Sequence, residues 1–295
     1  MNKRILAMLV CCVLLLLCGC SSGSKKYKRI SFKSDAMSEQ LRCIKDDTVV
    51  VNKSTETFPA QMPIYRIKQR SISEEECQQM CENLGLGGKR YYEFELNGNH
   101  LFLNLAARVD FTRGFFEMTE EEGEKLAWEL FKKIPFIEGE YECAGLKDKY
   151  IHRDSKSSHI ARAGFVFCRV VDGVRTVGND QCTIFLDGSG LVAISIRLFD
   201  YEKIGTMDMV SLADAKSKLK SPDDFDIGSH SGNNEVATLQ VEKVALRMVN
   251  QYSAGCTILQ PIYYFTGTAM YKDGYETNFS SKIIAIPEEM TYEED

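Results

Sequence analysis

The chain has 295 residues, of which 44% are hydrophobic, 26% charged and 10% aromatic, with 6 prolines and 21 glycines. Those fractions are those of an ordinary globular protein and exclude wholesale disorder, collagen-like repeats and a multi-pass membrane architecture. The net charge of −6, without a concentrated basic face, argues against a nucleic-acid partner.

Residues 1–19 read as a cleavable leader. Lys3 and Arg4 precede an apolar run from Ile5 to Leu17, about 13 residues and too short for the roughly 20 that span a bilayer. The segment Leu17-Cys18-Gly19-Cys20 resembles the lipobox of bacterial lipoproteins, with Leu three positions before the modified cysteine and small residues between. The resemblance implies cleavage before Cys20 and lipid attachment, palmitate included, at its thiol. Each buried methylene of such an anchor adds ~0.8 kcal/mol. The expected location is the extracytoplasmic face of a bacterial cell membrane, and losing Lys3 and Arg4 leaves a mature charge of −8. Residues 20–45, with Lys25, Lys26, Lys28, Arg29 and Lys33, read as a lipidated terminus and flexible tether drawn to anionic headgroups.

In the body, a first strand is predicted over Met62–Lys68. Three helices then start with the same device, a Ser or Thr followed three residues later by an acid. They begin at Ser73 with Glu76, Thr119 with Glu122, and Ser211 with Asp214, and stop at Gly85, before Pro135 and before Pro222. Ile72 and Cys77 are placed as a hydrophobic staple. Cys77, Met80, Cys81 and Leu84 form a core stripe.

Period-two patterns supply the other strands. Tyr92, Phe94 and Leu96 lead to the turn Asn97-Gly98-Asn99, and Leu101, Leu103 and Leu105 lead away from it, which predicts a hairpin. Phe165–Val171, Cys182–Leu186 and Leu191–Phe199 follow, the last two joined by Asp187-Gly188-Ser189-Gly190. Val236–Val249 slips parity between Val241 and Val244, as a bulge near Glu242-Lys243 produces. Ile258–Met270 and Tyr275–Ile286 turn on Lys272-Asp273-Gly274. Lys147–Arg162 and Ser221–Glu235 are polar and read as loops. The pattern predicts an α+β fold: antiparallel sheets built from hairpins, capped helices on one face, and two similar-sized subdomains over residues 46–174 and 175–295.

No nucleophile elbow, zinc-protease helix, phosphate loop or dinucleotide fingerprint is present. Gly85-Leu86-Gly87-Gly88 follows a helix and reads as a stop and turn. His152 and His159, with Asp148 and Asp154, share the first polar stretch, while His100 and His230 stand apart. His100 begins a strand beside a turn, His152 and His159 read as solvated loop residues, and no catalytic residue, metal ligand or cofactor is assigned. Seven cysteines remain after the lipobox: Cys43, Cys77, Cys81, Cys143, Cys168, Cys182 and Cys256. An odd count cannot pair fully within one chain, and most of these positions read as core thiols, with one or more disulfides as the alternative. Cys77-x-x-x-Cys81 lacks a second ligand pair. Tyr91-Tyr92, Phe115-Phe116 and Tyr263-Tyr264-Phe265 send adjacent rings to opposite sheet faces. Most of these rings read as core, and an exposed strip of them would be a docking surface.

The segments Asp172-Gly173-Val174, Gly178-Asn179, Leu212–Leu219, Val241–Leu246, Thr257–Tyr263 and Asn278–Ile286 together resemble the extracytoplasmic YycI/YycH regulatory proteins of Gram-positive bacteria and, more loosely, PepSY-type modules. The resemblance covers roughly residues 165–287. It implies a non-catalytic partner of a sensor histidine kinase of the two-component type, and supplies no catalytic residue. Members keep a transmembrane helix where this chain carries a lipobox. The alternatives are a PepSY-like protease inhibitor or intramolecular chaperone, and a metal-dependent hydrolase built on His152 and His159.

Overall fold

The structure is a computed structural model that describes residues 25–28, 43–86, 93–105, 116–153, 158–178, 180–220, 222, 224–228, 235–250 and 257–292. Among them the chain forms β1 (Lys25–Lys28), β2 (Ile44–Asn52), β3 (Gln61–Gln69), α1 (Glu74–Asn83), β4 (Glu93–Asn97), β5 (His100–Asn104), α2 (Glu120–Phe131), β6 (Glu140–Arg153), β7 (Ser158–Val171), β8 (Val174–Gly178), β9 (Gln181–Asp187), β10 (Gly190–Arg197) and β11 (Phe199–Asp208). Then come α3 (Leu212–Ser217), β12 (Asp224–Ile227), β13 (Val236–Asn250), β14 (Gln260–Tyr271), β15 (Glu276–Ile284) and β16 (Glu289–Tyr292). The class is α+β, dominated by one large mixed sheet. None of the described helices is long and apolar enough to cross a membrane.

The helices start where the sequence places them, because side chains satisfy their first amides. Ser73 Oγ accepts from the Glu76 amide at 3.2 Å, and the Glu76 carboxylate accepts from the Ser73 amide at 2.8 Å. Thr119 and Glu122 make the same reciprocal pair at 3.2 and 2.9 Å. Ser211 Oγ accepts from the Asp214 amide at 3.1 Å. α1 ends in a Schellman motif: the Gly85 amide donates to Glu82 and the Leu86 amide to Cys81, with Gly85 at φ +71°, a conformation that favours glycine.

Ten strands run in the order β12-β15-β14-β13-β8-β7-β9-β10-β5-β4, while β2 also pairs with β13 and β6 with β7, making twelve in one sheet. A separate ribbon pairs β3 with β11, and β1 pairs with β16. The predicted bulge in β13 is present: register shifts between Val241 and Lys243.

Several expectations need correction. The sheet is not purely antiparallel, because β13 runs parallel to both β2 and β8; apolar alternation sets which face a strand buries but not the direction of its partner. Within the stretch read as a loop, 147–153 and 158–162 are strand, the far ends of β6 and β7, with Tyr150 opposite Arg162. Register shifts near Leu146 and between Tyr150 and Ile151 break the alternation that would have revealed them. Ser221–Glu235 contains β12, whose Phe225 is buried and stacks on Phe279 at 5.9 Å. Within the expected tether, Lys25–Lys28 pairs with Glu289–Tyr292. Leu191–Phe199 is interrupted at Leu198, whose amide donates to Asn99 O at 3.0 Å while Asn99 Nδ2 donates to its carbonyl at 2.9 Å.

The buried apolar residues fall into two clusters. One gathers α1 and α2 with β5, β7, β9 and β10 around Phe165, Phe167, Ile184 and Ile194. The other gathers β3, β11 and α3 with β13, β14 and β15 around Ile64, Val241, Tyr263 and Phe265. These clusters do not divide the chain at residue 174. β9 and β10 pair with β7 and β5, while β2 pairs with β13 and β3 with β11.

α2 lies close to the sheet at Gly123, where an added Cβ would come within 2.6 Å of the Phe165 ring and 2.7 Å of the Phe116 ring. Gly123→Ala is therefore expected to destabilise by about 1–3 kcal/mol through overpacking, outweighing the ~1 kcal/mol gain in helix propensity. Ser73→Ala is expected to cost roughly 0.5–2 kcal/mol through loss of the cap. Equilibrium urea unfolding checks both; a Gly123→Ala protein as stable as wild type would contradict the packing account.

Candidate functional site

The structure concentrates buried polar groups where β8 joins the two halves of the sheet. β8 continues the β7–β8 hairpin, with Val171 opposite Val174, and then pairs in parallel with β13, with Asn250 opposite Gly178. Gly178 has φ +103°, and a Cβ there would sit 2.7 Å from the Asn250 carbonyl. Only glycine allows both that backbone conformation and that approach.

Just past β8, Asp180 is 1% exposed, and neither carboxylate oxygen has a partner at hydrogen-bond geometry. Around it stand Arg169 from β7, Tyr141 opposite Arg169 on β6, and Tyr201 from β11. The Arg169 guanidinium lies 5.5 Å from the Tyr201 ring centre and donates to the Phe199 carbonyl at 3.0 Å. Asn250, fully buried, donates through Nδ2 to the Tyr201 hydroxyl at 3.1 Å. The Tyr141 hydroxyl is buried without a hydrogen-bond partner, its ring 5.1 Å from that of Phe131. Nearby, the Tyr65 hydroxyl donates to the Asp172 carboxylate, fastening β3 to the β7–β8 turn, where Asp172 has φ +47°.

Burial dominates the electrostatics. Desolvation pushes the Asp180 carboxyl from 3.8 up to about 6, against the opposing pull of the nearby Tyr201 hydroxyl, Arg169 guanidinium and Phe199 amide. It also drives the phenols of Tyr141 and Tyr201 well above the usual tyrosine range, with Asp180 adding to both shifts. Chemically, this seam can hold a proton on Asp180 in mildly acidic solution.

The structure disperses the residues that the sequence singled out. Cys20 lies outside the described residues, as do Cys256, His230, Asp154, Tyr91, Tyr92 and Phe115. His152 and His159 are directly opposite one another across the β6–β7 hairpin, not in a loop; their side chains are outside the described set. His100 is half-buried, with Nε2 3.2 Å from Ser195 Oγ, and burial followed by the nearby Arg197 lowers its pKa. Cys43, Cys77, Cys81, Cys168 and Cys182 are buried, Cys143 is partly so, and none of the six is in a disulfide. Burial raises each of these thiols, Cys77 and Cys143 to about 11. Tyr263 and Phe265 are core residues, 1% and 0% exposed, while Tyr264 on the opposite face is half-buried.

Sequence patterns do not mark the seam itself. Arg169, a lone charge within the apolar run Phe165–Val171, is the one signal that points toward it. No protein-family model matches the sequence, and no curated protein matches it. Among solved structures, the C-terminal domain of YpeB from Bacillus megaterium is similar over 76% of this chain and 98% of its own, with 16% identity and a TM-score of 0.39.

A pH prediction follows from Asp180. Its native pKa lies above the unfolded value, so between pH ~4 and ~6 the folded state binds more protons and stability falls as pH rises. Asp180→Asn is expected to stabilise the protein by about 3 kcal/mol above pH 7 and by little near pH 3.5. Urea unfolding across that range tests this; a pH-independent difference would show that Asp180 is not held protonated.

Proposed function

We propose that this chain is a lipoprotein anchored through Cys20 to the extracytoplasmic face of a bacterial membrane, acting as a non-catalytic binding and regulatory module. Its partner on this reading is an envelope protein such as a sensor kinase, as the YycI/YycH-like texture of residues 165–287 implies. The lipobox supports the location. The observation that carries the non-catalytic reading is the placement of the thiols: Cys43, Cys77, Cys81, Cys168 and Cys182 are buried and Cys143 is partly so, and a structural buried thiol is unreactive. The two hydrophobic clusters then act as two packing units sharing one sheet, with the helices and the β3–β11 ribbon on one face.

A specific observation favours a second reading, that of a PepSY-like protease inhibitor or chaperone module. β2 pairs with β13 along one edge, and its Val49 and Val51 are 55% and 39% exposed. An edge strand with exposed valines can accept an added strand from a partner.

Cys20→Ala is expected to abolish metabolic lipid labelling and release the protein from membranes washed in high salt. Persistent acylation and membrane fractionation would overturn the anchor. Crosslinking in native membranes, compared between wild type and Val49→Lys/Val51→Lys, separates the readings: loss of the captured partner in the variant favours strand addition.

A further inference from the structure

The sheet face opposite the Asp180 seam carries a second, differently built group of polar residues. In the parallel pairing of β8 with β13, Met248 lies opposite Thr176, and both are fully buried. Side chains alternate along a strand, so the preceding residues, Arg175 and Arg247, leave the same two strands on the other face. Neighbouring strands stand about 4.8 Å apart, so the two residues are neighbours across the β8–β13 pairing. The same face receives Glu142, opposite Cys168 on the β6–β7 hairpin, and Tyr264 from β14, opposite Ala245.

The charges in this group do not balance. Arg175 Nη1 donates to Glu142 Oε1 at 2.8 Å, and that carboxylate is half exposed. Arg247 donates through Nη1 to the Leu246 carbonyl at 2.9 Å. The Nε atoms of both arginines are buried and have no acceptor. Among the described residues the two guanidiniums make one ion pair, that of Arg175 with Glu142, on a chain whose net charge is −6. A buried donor left unmatched is costly, and like charges held together disfavour one another. Both costs fall when an oxyanion enters, because each guanidinium offers a planar fork that matches carboxylate or phosphate oxygens.

We propose that Arg175 and Arg247 form a binding site for a single oxyanion group, a carboxylate or a phosphate, on the sheet face opposite the Asp180 seam. Arg247, whose Nη1 is held by the Leu246 carbonyl, supplies the Nε edge of its guanidinium, which has no acceptor. Arg175 adds charge and is held in place by Glu142, which competes with the incoming anion, and Tyr264 flanks the site with a hydroxyl-bearing ring.

The test uses the full chain in detergent, titrated separately with inorganic phosphate and with acetate, each against sodium chloride at matched ionic strength. Thermal stability and the NMR resonances of the arginine Nε–H groups are read. Expected results are a saturable rise in melting temperature with at least one of the two oxyanions and a shift of the Arg175 and Arg247 resonances. Arg247→Gln should weaken binding about tenfold or more, whereas Glu142→Gln should tighten it by removing the internal competitor. Phosphate bound more tightly than acetate assigns the site to a phosphorylated ligand, and the reverse order assigns it to a carboxylate. If Arg247→Gln does not fold, Arg247→Lys, which keeps the charge and loses the fork, is expected to weaken binding several-fold. The proposal is overturned if neither oxyanion exceeds chloride, or if saturable binding survives unchanged in the folded Arg247 variant.

Discussion

The architecture depends on the double pairing of β8. Five residues long, this strand closes a tight hairpin with β7 through Val171 and Val174 and then zips in parallel against the end of β13. The hydrogen bonds of those few residues turn what would be two sheets into one. Gly178 makes the junction possible, since its backbone geometry and the nearness of the Asn250 carbonyl leave no room for a side chain. The β3–β11 ribbon reinforces it from one face, through Tyr65 on Asp172 and Tyr201 on Asn250.

Such a junction buries polar groups that an apolar core would exclude. Asp180, Arg169, Tyr141, Tyr201 and Asn250 come from five separate elements or connections, and their burial is only partly compensated: the hydroxyl of Tyr141 and both oxygens of Asp180 have no partner at hydrogen-bond geometry. An apolar set of the same volume would be expected to be at least as stable. What the polar set adds is directionality. Arg169 reaches Phe199 and the ring of Tyr201, and Asn250 reaches the Tyr201 hydroxyl, so the ribbon is held in one orientation relative to both hydrophobic clusters.

The two faces of the sheet at this point are unlike. Alternation along β8 and β13 sends Thr176 and Met248 into the core and Arg175 and Arg247 away from it. The short β8–β13 pairing thus anchors the fold on one side and carries Arg175 and Arg247 on the other. A ligand bound to those guanidiniums would touch the strands that unite the two clusters, so binding there bears directly on the junction.

Local signals in the sequence determined the elements whose causes are local. Ser73, Thr119 and Ser211 mark helix starts because capping needs only a hydroxyl and an amide three residues away. Asn97-Gly98 marks a hairpin because the turn geometry lies within four residues, and the parity slip at Glu242-Lys243 marks a bulge because every side chain beyond it changes face. The proposed anchor likewise rests on a contiguous stretch, the apolar run and the lipobox-like Leu17–Cys20. Strand direction and partner choice were not legible: β2 and β8 both lie parallel to β13 across long separations, and apolar alternation carries no record of the neighbour. The bulged β6–β7 hairpin was hidden because its own irregularities erase period two. Apart from the lone charge of Arg169 in an apolar run, the Asp180 seam and the Arg175–Arg247 pair were decided by tertiary structure. Their members lie as far apart as Tyr141 and Asn250, and what makes each of them chemically unusual is loss of water and proximity to another charge, conditions that arise only when the two halves of the sheet close on β8.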